Sequence, residues 1–170
     1  MSATDVVSLV DLLEGQGINL WLDGGWGVDA LLGEQTRPHD DLDVVLQNDF
    51  VPTLRRSLAG RGFRDVPRDD TSPWNFVLGD ESGLEVDVHA IIFDAEGNGL
   101  YGPEEEGMFY SVESLTGTGH VNGRHVKCIS AKWQVKFRTG YEVDEKDRHD
   151  IQVLSDRFRI EPSQEEQGKD

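Results

Sequence analysis

One cysteine, Cys128, is all that this 170-residue chain contains, and basic residues are scarce: 16 Lys and Arg stand against 33 Asp and Glu. A single thiol excludes an intramolecular disulfide and reads as a small buried hydrophobe. A formal net charge of −17 and a pI near 4.5 exclude the basic surface that a nucleic-acid backbone or an anionic membrane requires. They favour a cationic ligand instead. There is no long apolar run and no basic-then-apolar leader, so the expectation is a cytoplasmic protein with no membrane partner. No internal repeat is visible, and the length suits one domain or a catalytic core with a short helical appendage.

What the chain does have is concentrated between Trp21 and Leu46, WLDGGWGVDALLGEQTRPHDDLDVVL. The apolar strand ending at Leu22 runs into Gly24 and Gly25, which lack a Cβ and let backbone N–H groups approach an anion near the start of the next helix. About sixteen residues on, Asp41 and Asp43 are two apart. In an extended strand they project from one face while Leu42 and Val44 point to the other. Two carboxylates on one face repel unless a cation lies between them, and hard oxygen donors suit Mg2+, which is shared with substrate phosphates.

A third carboxylate is available in Leu84-Glu85-Val86-Asp87-Val88-His89 by the same period of two. Val86 and Val88 belong to the core; Glu85, Asp87 and His89 share the opposite face. If this strand lies beside that of Asp41 and Asp43, at least three acidic groups converge, as a two-metal phosphoryl transfer needs. Either Glu85 or Asp87 can be the base at this level of reading. Arg37 is placed to clamp a phosphate in bidentate fashion, and His39 to touch one. Asp40 adds charge beside the ligands. Asp23 and Asp29 flank the glycines as capping or orienting groups. Lys132 and Lys136, four apart on a helix that also carries Arg138, are weaker candidates for the triphosphate, and Trp74 is the tryptophan expected to line a ligand pocket.

Periodicity predicts a helix capped by Thr4 or Asp5 and ended by Gly15 and Gly17, a strand over 18–22, a short helix from Trp26 to Leu32 and an apolar strand from Leu42 to Leu46. A helix capped by Asn48 or Asp49 runs to Leu58, followed by strands over 63–66, 74–78 and 84–91. Asn122-Gly123 signals a hairpin. Ser130 is read as the cap of a helix reaching Gly140, and a last helix covers 145–155. Residues 1–128 form the expected core, 129–158 a C-terminal helical portion packed on it, and 159–170 a flexible acidic tail; Glu104 to Glu106 is read as a solvated acidic loop.

A glycine pair, a helix-sized spacer and DxD on a strand resemble the signature of the polymerase-beta-like nucleotidyltransferase superfamily. More narrowly, WLDGGWGVDALLG with TRPHDDLDV, then GLEVDVHAI, KCIS, FRTGYE and DRHDI, resembles the small lincosamide and aminoglycoside 2''-nucleotidyltransferases. The resemblance spans roughly residues 5 to 155. It implies an α+β fold, a mixed twisted sheet flanked by helices with a short C-terminal helical portion. It singles out Asp87 as the third aspartate, serving as base and second-metal ligand, with Glu85 as the alternative base. Asp41, Asp43 and Asp87 are then the metal ligands, and Gly24, Gly25, Arg37 and His39 the nucleotide side. The lysine of the lincosamide enzymes falls where this chain has Ala131.

The implied activity is Mg2+-dependent transfer of a nucleoside monophosphate, AMP from ATP, to a hydroxyl of a small cationic antibiotic, with a homodimer as the expected assembly. The alternative is a stress or toxin–antitoxin type nucleotidyltransferase that modifies a protein or another acceptor.

Overall fold

The structure, a computed structural model, describes residues 1–103, 109–139 and 142–161. The acidic run at 104–106, the helix end at Gly140 and most of the expected tail lie outside the described residues.

Helix α1 (Ala3–Glu14) starts earlier than expected, because Ser2 and Asp5 form a capping box: Ser2 Oγ accepts the Asp5 N–H and the Asp5 carboxylate accepts the Ser2 N–H. Its stripe of Val6, Leu9, Val10 and Leu13 is buried. The Ile18 N–H closes back on the Leu13 carbonyl, so β1 is confined to Leu20–Leu22. Helix α2 (Gly24–Leu32) begins two residues before the expected Trp26. Asp23 is its N-cap, accepting from the Gly24 N–H, and its carbonyl takes the Gly27 N–H. Both glycines therefore lie inside the first helical turn.

Strand β2 (Asp41–Gln47) is followed by a 3-10 turn at Asn48–Phe50 and then α3 (Val51–Ala59). Neither Asn48 nor Asp49 caps that helix; Pro52 in its first turn needs no N–H acceptor and presets the helical φ. Strands β3 (Arg64–Val66), β4 (Asn75–Gly79) and β5 (Glu85–Phe93) come next. The short strands β6 (Gly99–Tyr101) and β7 (Phe109–Tyr110) were not anticipated. A hairpin of β8 (Gly117–Val121) and β9 (Arg124–Cys128) turns at Asn122-Gly123, both at positive φ as a type I′ turn requires. Helices α4 (Ala131–Arg138) and α5 (Glu145–Phe158) complete the described chain.

The sheet order is β3-β4-β5-β2-β1-β9-β8, with β6 and β7 continuing from the far end of β5. It is mixed: β2 and β5 are parallel, as are β1 and β9, and the remaining pairs are antiparallel. One face packs Leu42, Val44, Leu46, Val86 and Val88 against the apolar sides of α1 and α3. On the other face Trp21, Val45, Ile91, Tyr110 and Ile129 form a smaller cluster with Trp133 and Phe137 of α4. Val28, Val135 and Leu154 join α2, α4 and α5 in a third, against which Ile160 also rests. These contacts give the α+β arrangement expected, with the C-terminal helices seated beside α2.

Close approach of β8 to α2 depends on Gly119, where an added Cβ would overlap the Ala30 carbonyl. Gly119→Ala is expected to destabilise the fold by about 1–3 kcal/mol, the usual cost of overpacking, although alanine is otherwise no worse than glycine in a strand. A urea denaturation midpoint equal to that of the unaltered chain would contradict this packing.

Candidate active site

Parallel pairing of β2 with β5 sets the geometry. The register places Asp41 beside Glu85, Asp43 beside Asp87 and Val45 beside His89. The three carboxylates singled out from the sequence, Asp41, Asp43 and Asp87, therefore share one face of two neighbouring strands. Glu85 differs from its neighbours, because Arg68 Nη2 donates to both of its carboxylate oxygens at 3.0 and 2.8 Å. Asp87 Oδ1 is buried and has no hydrogen-bond partner among the described residues. Burial, reinforced by the charges of Asp43 and Asp41 and opposed by His89, pushes the Asp87 carboxyl up to about 6. Burial and the neighbouring Asp43 charge likewise raise Asp41.

His89 completes this group. Its donor atom and one oxygen each from Asp43 and Asp87 lie within 4.8 Å of one another. Nε2 is 3.7 Å from Asp43 Oδ1, and Nδ1 is 3.0 Å from the Tyr101 hydroxyl. Burial works against a charge on the imidazole, but the neighbouring carboxylate of Asp43, with those of Asp87 and Asp23, outweighs it and lifts His89 to about 9.

The N-terminus of α2 lies against the same carboxylates. Gly24 has φ +52°, and a Cβ there would overlap the Asp43 carboxylate; one at Gly25 would overlap His39 and come within 2.9 Å of Arg37. This is the structural reason for two consecutive glycines. The Gly24 N–H, expected to face a phosphate, is held at 2.8 Å by Asp23 Oδ1, while Asp23 Oδ2 accepts from the Tyr110 hydroxyl at 3.0 Å.

Arg37 and His39 also line this cleft, but not as free groups. Arg37 Nε and Nη2 donate to the two oxygens of Asp150 on α5, each at 2.8 Å. The bidentate face expected to clamp a phosphate is thus engaged inside the protein. Arg138 Nη2 joins Asp150 at 3.2 Å. Arg37 Nη1 is 3.0 Å from His39 Nδ1, and His39 Nε2 is bonded to the buried Asp29, whose other oxygen accepts from the Thr36 N–H and hydroxyl. The Trp26 ring packs at a tilt against His39, with ring centroids 4.8 Å apart and the planes at 51°. Asp29 is an orienting group, as read, and Asp150 is the residue that sequence reasoning missed. It lies 113 residues from Arg37, and its one signal was the DRHDI segment.

The main cleft has a volume of about 720 Å³ and is lined by Gly24, Gly25, Asp41, Asp43 and His89 together with Tyr101, Tyr110, Trp133, Lys136 and Phe137. Trp133, not Trp74, is the tryptophan in its wall, with Lys136 Nζ 4.1 Å from the ring. Lys132 lines a separate cavity beside Arg159 and Ile160. Lys146 reaches Asp40 at the rim, at 3.2 Å. A smaller cleft of about 190 Å³ opens on the Asp87 side and shares Asp41 with the first. Cys128 is buried, its thiol pushed up to about 12 by that burial and by Asp23. Among the described residues, no helix is long and apolar enough to cross a membrane.

A mixed sheet presenting aspartates on adjacent strands beneath a glycine-initiated helix is the arrangement of a nucleotidyltransferase, and the solved structures similar to this one are proteins of that fold. The chain belongs to the aminoglycoside-2''-adenylyltransferase family, whose family model matches residues 5–154, and is an enzyme of that nucleotidyltransferase class. It is 30% identical over 146 residues to a lincosamide resistance protein of Staphylococcus haemolyticus, covering 86% of this chain and 89% of that one. A 2''-aminoglycoside nucleotidyltransferase of Escherichia coli is 36% identical over 72 residues, 39% of this chain and 41% of the other. Among solved structures, the lincomycin-bound lincosamide antibiotic adenylyltransferase LnuA superposes with a TM-score of 0.77 at 29% identity, over 89% of this chain and 95% of that one. ANT(2'')-Ia in complex with adenylyl-2''-tobramycin gives 0.69 at 18% identity, over 92% and 88%, a likeness of fold.

The dependence on Gly24 is testable against Gly33, which has φ +77° but nothing within 4 Å of an added Cβ. Gly24→Ala and Gly33→Ala should each lose about 1–2 kcal/mol from left-handed strain. Gly24→Ala, by displacing Asp43, should also lower nucleotide transfer by about 100-fold. Equal transfer rates in the two variants would show that Gly24 serves the helix alone.

Proposed function

We propose that the protein transfers a nucleoside monophosphate, AMP from ATP, to a hydroxyl of a small amine-bearing antibiotic, a lincosamide or an aminoglycoside, and so confers resistance. The observation that carries this reading is Asp43 beside Asp87 in register, with the first turn of α2 resting on Asp43. Near-full-length similarity to a lincosamide resistance protein supports a lincosamide acceptor, and the family model supports an aminoglycoside. The chain's acidity suits either, since cationic amines are steered toward it.

The donor set fits a divalent cation: Asp41, Asp43 and Asp87 share one face, and the buried Asp87 Oδ1 lacks a partner among the described residues. These three residues would hold Mg2+, as a two-metal site in the proposed reaction, and the cation supplies charge neutralisation at the phosphates and leaving oxygens. Asp87 accepts the proton of the acceptor hydroxyl as that oxygen attacks the α-phosphorus and pyrophosphate leaves in line. Asp87 is the better base because both Glu85 oxygens are taken by Arg68. The N-terminal dipole of α2 at Gly24 and Gly25 orients phosphate oxygens. Arg37 and His39, held by Asp150 and Asp29, form a fixed cationic and polar wall beside them. Tyr101, Tyr110, Trp133 and Phe137 give the cleft an aromatic lining that excludes water. The proposed setting is the cytoplasm, where ATP is available, with a homodimer whose partner helical segment completes the acceptor pocket.

Incubation with ATP, Mg2+ and lincomycin or kanamycin, followed by mass spectrometry, tests the reading through the AMP adduct. Asp87→Asn should reduce kcat by about 10²–10⁴-fold with unchanged melting, and Glu85→Gln should retain most activity. Unmodified drugs with the unaltered enzyme, or full activity in Asp87→Asn, would refute the assignment.

A further inference from the structure

We infer that His89 is a third protein donor to the cation of this site, giving the centre a preference for a divalent ion that accepts imidazole, Mn2+ in particular, over Mg2+. The inference rests on the reading that Asp43 and Asp87 hold a cation, and adds a ligand and a selectivity to it.

A row of hydrogen bonds that leads away from the carboxylates fixes the imidazole. The Asn75 side-chain nitrogen donates to Asp70 Oδ2 at 2.9 Å, which turns the Asn75 oxygen toward Tyr101. The Tyr101 hydroxyl donates to that oxygen at 2.8 Å. Its own oxygen is then the acceptor for His89, 3.0 Å from Nδ1. Since Nδ1 carries the hydrogen, Nε2 is the ring atom left to bind whatever lies on the carboxylate side.

This is the way metal-binding histidines are held: the far nitrogen donates to a fixed partner, which sets ring orientation and raises the basicity of the near one. Nε2 lies toward Asp43, and one donor atom each of His89, Asp43 and Asp87 lies within 4.8 Å of the others. That separation suits atoms sharing one ion. The Nε2 to Asp43 Oδ1 distance of 3.7 Å exceeds a good direct hydrogen bond, so the pair is not closed on itself.

The position of the remaining aspartate, Asp41, matters too. Asp41 sits one step along the strands, beside Glu85, and is not part of this closest group. Two carboxylates and one imidazole therefore form the tightest donor set among the described residues. Mg2+ takes oxygen donors almost alone, whereas Mn2+ takes carboxylate as Mg2+ does and also begins the series of first-row ions that bind mixed nitrogen and oxygen sites.

The test uses the full chain with MnCl2 or MgCl2 alone, without nucleotide or drug. Calorimetry should show tighter binding of Mn2+ than of Mg2+, and pulsed electron paramagnetic resonance should show coupling of Mn2+ to an imidazole nitrogen. His89→Ala should remove that coupling and weaken Mn2+ binding by about 10–100-fold, with a far smaller effect on Mg2+. Tyr101→Phe, which keeps the ring but frees Nδ1, should weaken Mn2+ binding by about 10-fold and provides a second variant if His89→Ala unfolds. Absence of Mn2+ binding, no nitrogen coupling, or Mn2+ bound as tightly or more tightly by His89→Ala would overturn the inference; the last result would make His89 a counter-charge to Asp43. Drug modification is scored separately, so an enzyme that adenylates a drug without nitrogen-coupled Mn2+ refutes the ligand and leaves the reaction standing.

Discussion

Everything at the site depends on the in-register parallel pairing of β2 with β5. Side by side, Asp43 and Asp87 repel, and adjacent like charges oppose strand pairing. What holds them together is on the other face: Leu42, Val44 and Leu46 beside Val86, Val88 and Ala90, all buried. A slip of one residue would turn the valines to solvent and the carboxylates into the core. The apolar face thus fixes the register, and the polar face carries an electrostatic cost that a bound cation would offset. Burial first, and the neighbouring carboxylates second, raise the carboxyls of Asp87 and Asp41 on that face.

The second constraint is the buried Asp150, against which Arg37 and Arg138 are both paired. It ties the loop that leads into β2 to the C-terminal helices, and through Arg37 and His39 it reaches the glycine turn of α2. Helix α5 therefore does more than cover apolar surface: it fixes Arg37, and through it His39, beside the first turn of α2. Removing one partner of such a pair leaves a buried charge uncompensated, which is why an interaction of small net value is costly to break.

Much of this was legible in the chain because it followed from short-range periodicity. Alternation placed Asp41 with Asp43 and Glu85 with Asp87, and the Asn122-Gly123 turn placed β8 against β9. Contacts between distant segments were not legible. Nothing local shows that Arg37 is neutralised by Asp150, that Arg68 engages Glu85, or that Trp133 instead of Trp74 faces the cleft. The short strands β6 and β7 carry too few residues to display a period, yet β6 delivers Tyr101 to His89. The start of α2 was misplaced by two residues because glycine disfavours helices, and the Asp23 cap overrides that preference.

Anomalous diffraction from crystals grown with Mn2+ and a non-hydrolysable ATP analogue tests whether the Asp43–Asp87 pair is a cation site serving phosphate bound at the start of α2. The expected result is an anomalous peak between the two carboxylates, with the triphosphate running from it toward Gly24 and Gly25. A triphosphate bound in the cleft with no cation at Asp43 and Asp87 would contradict it.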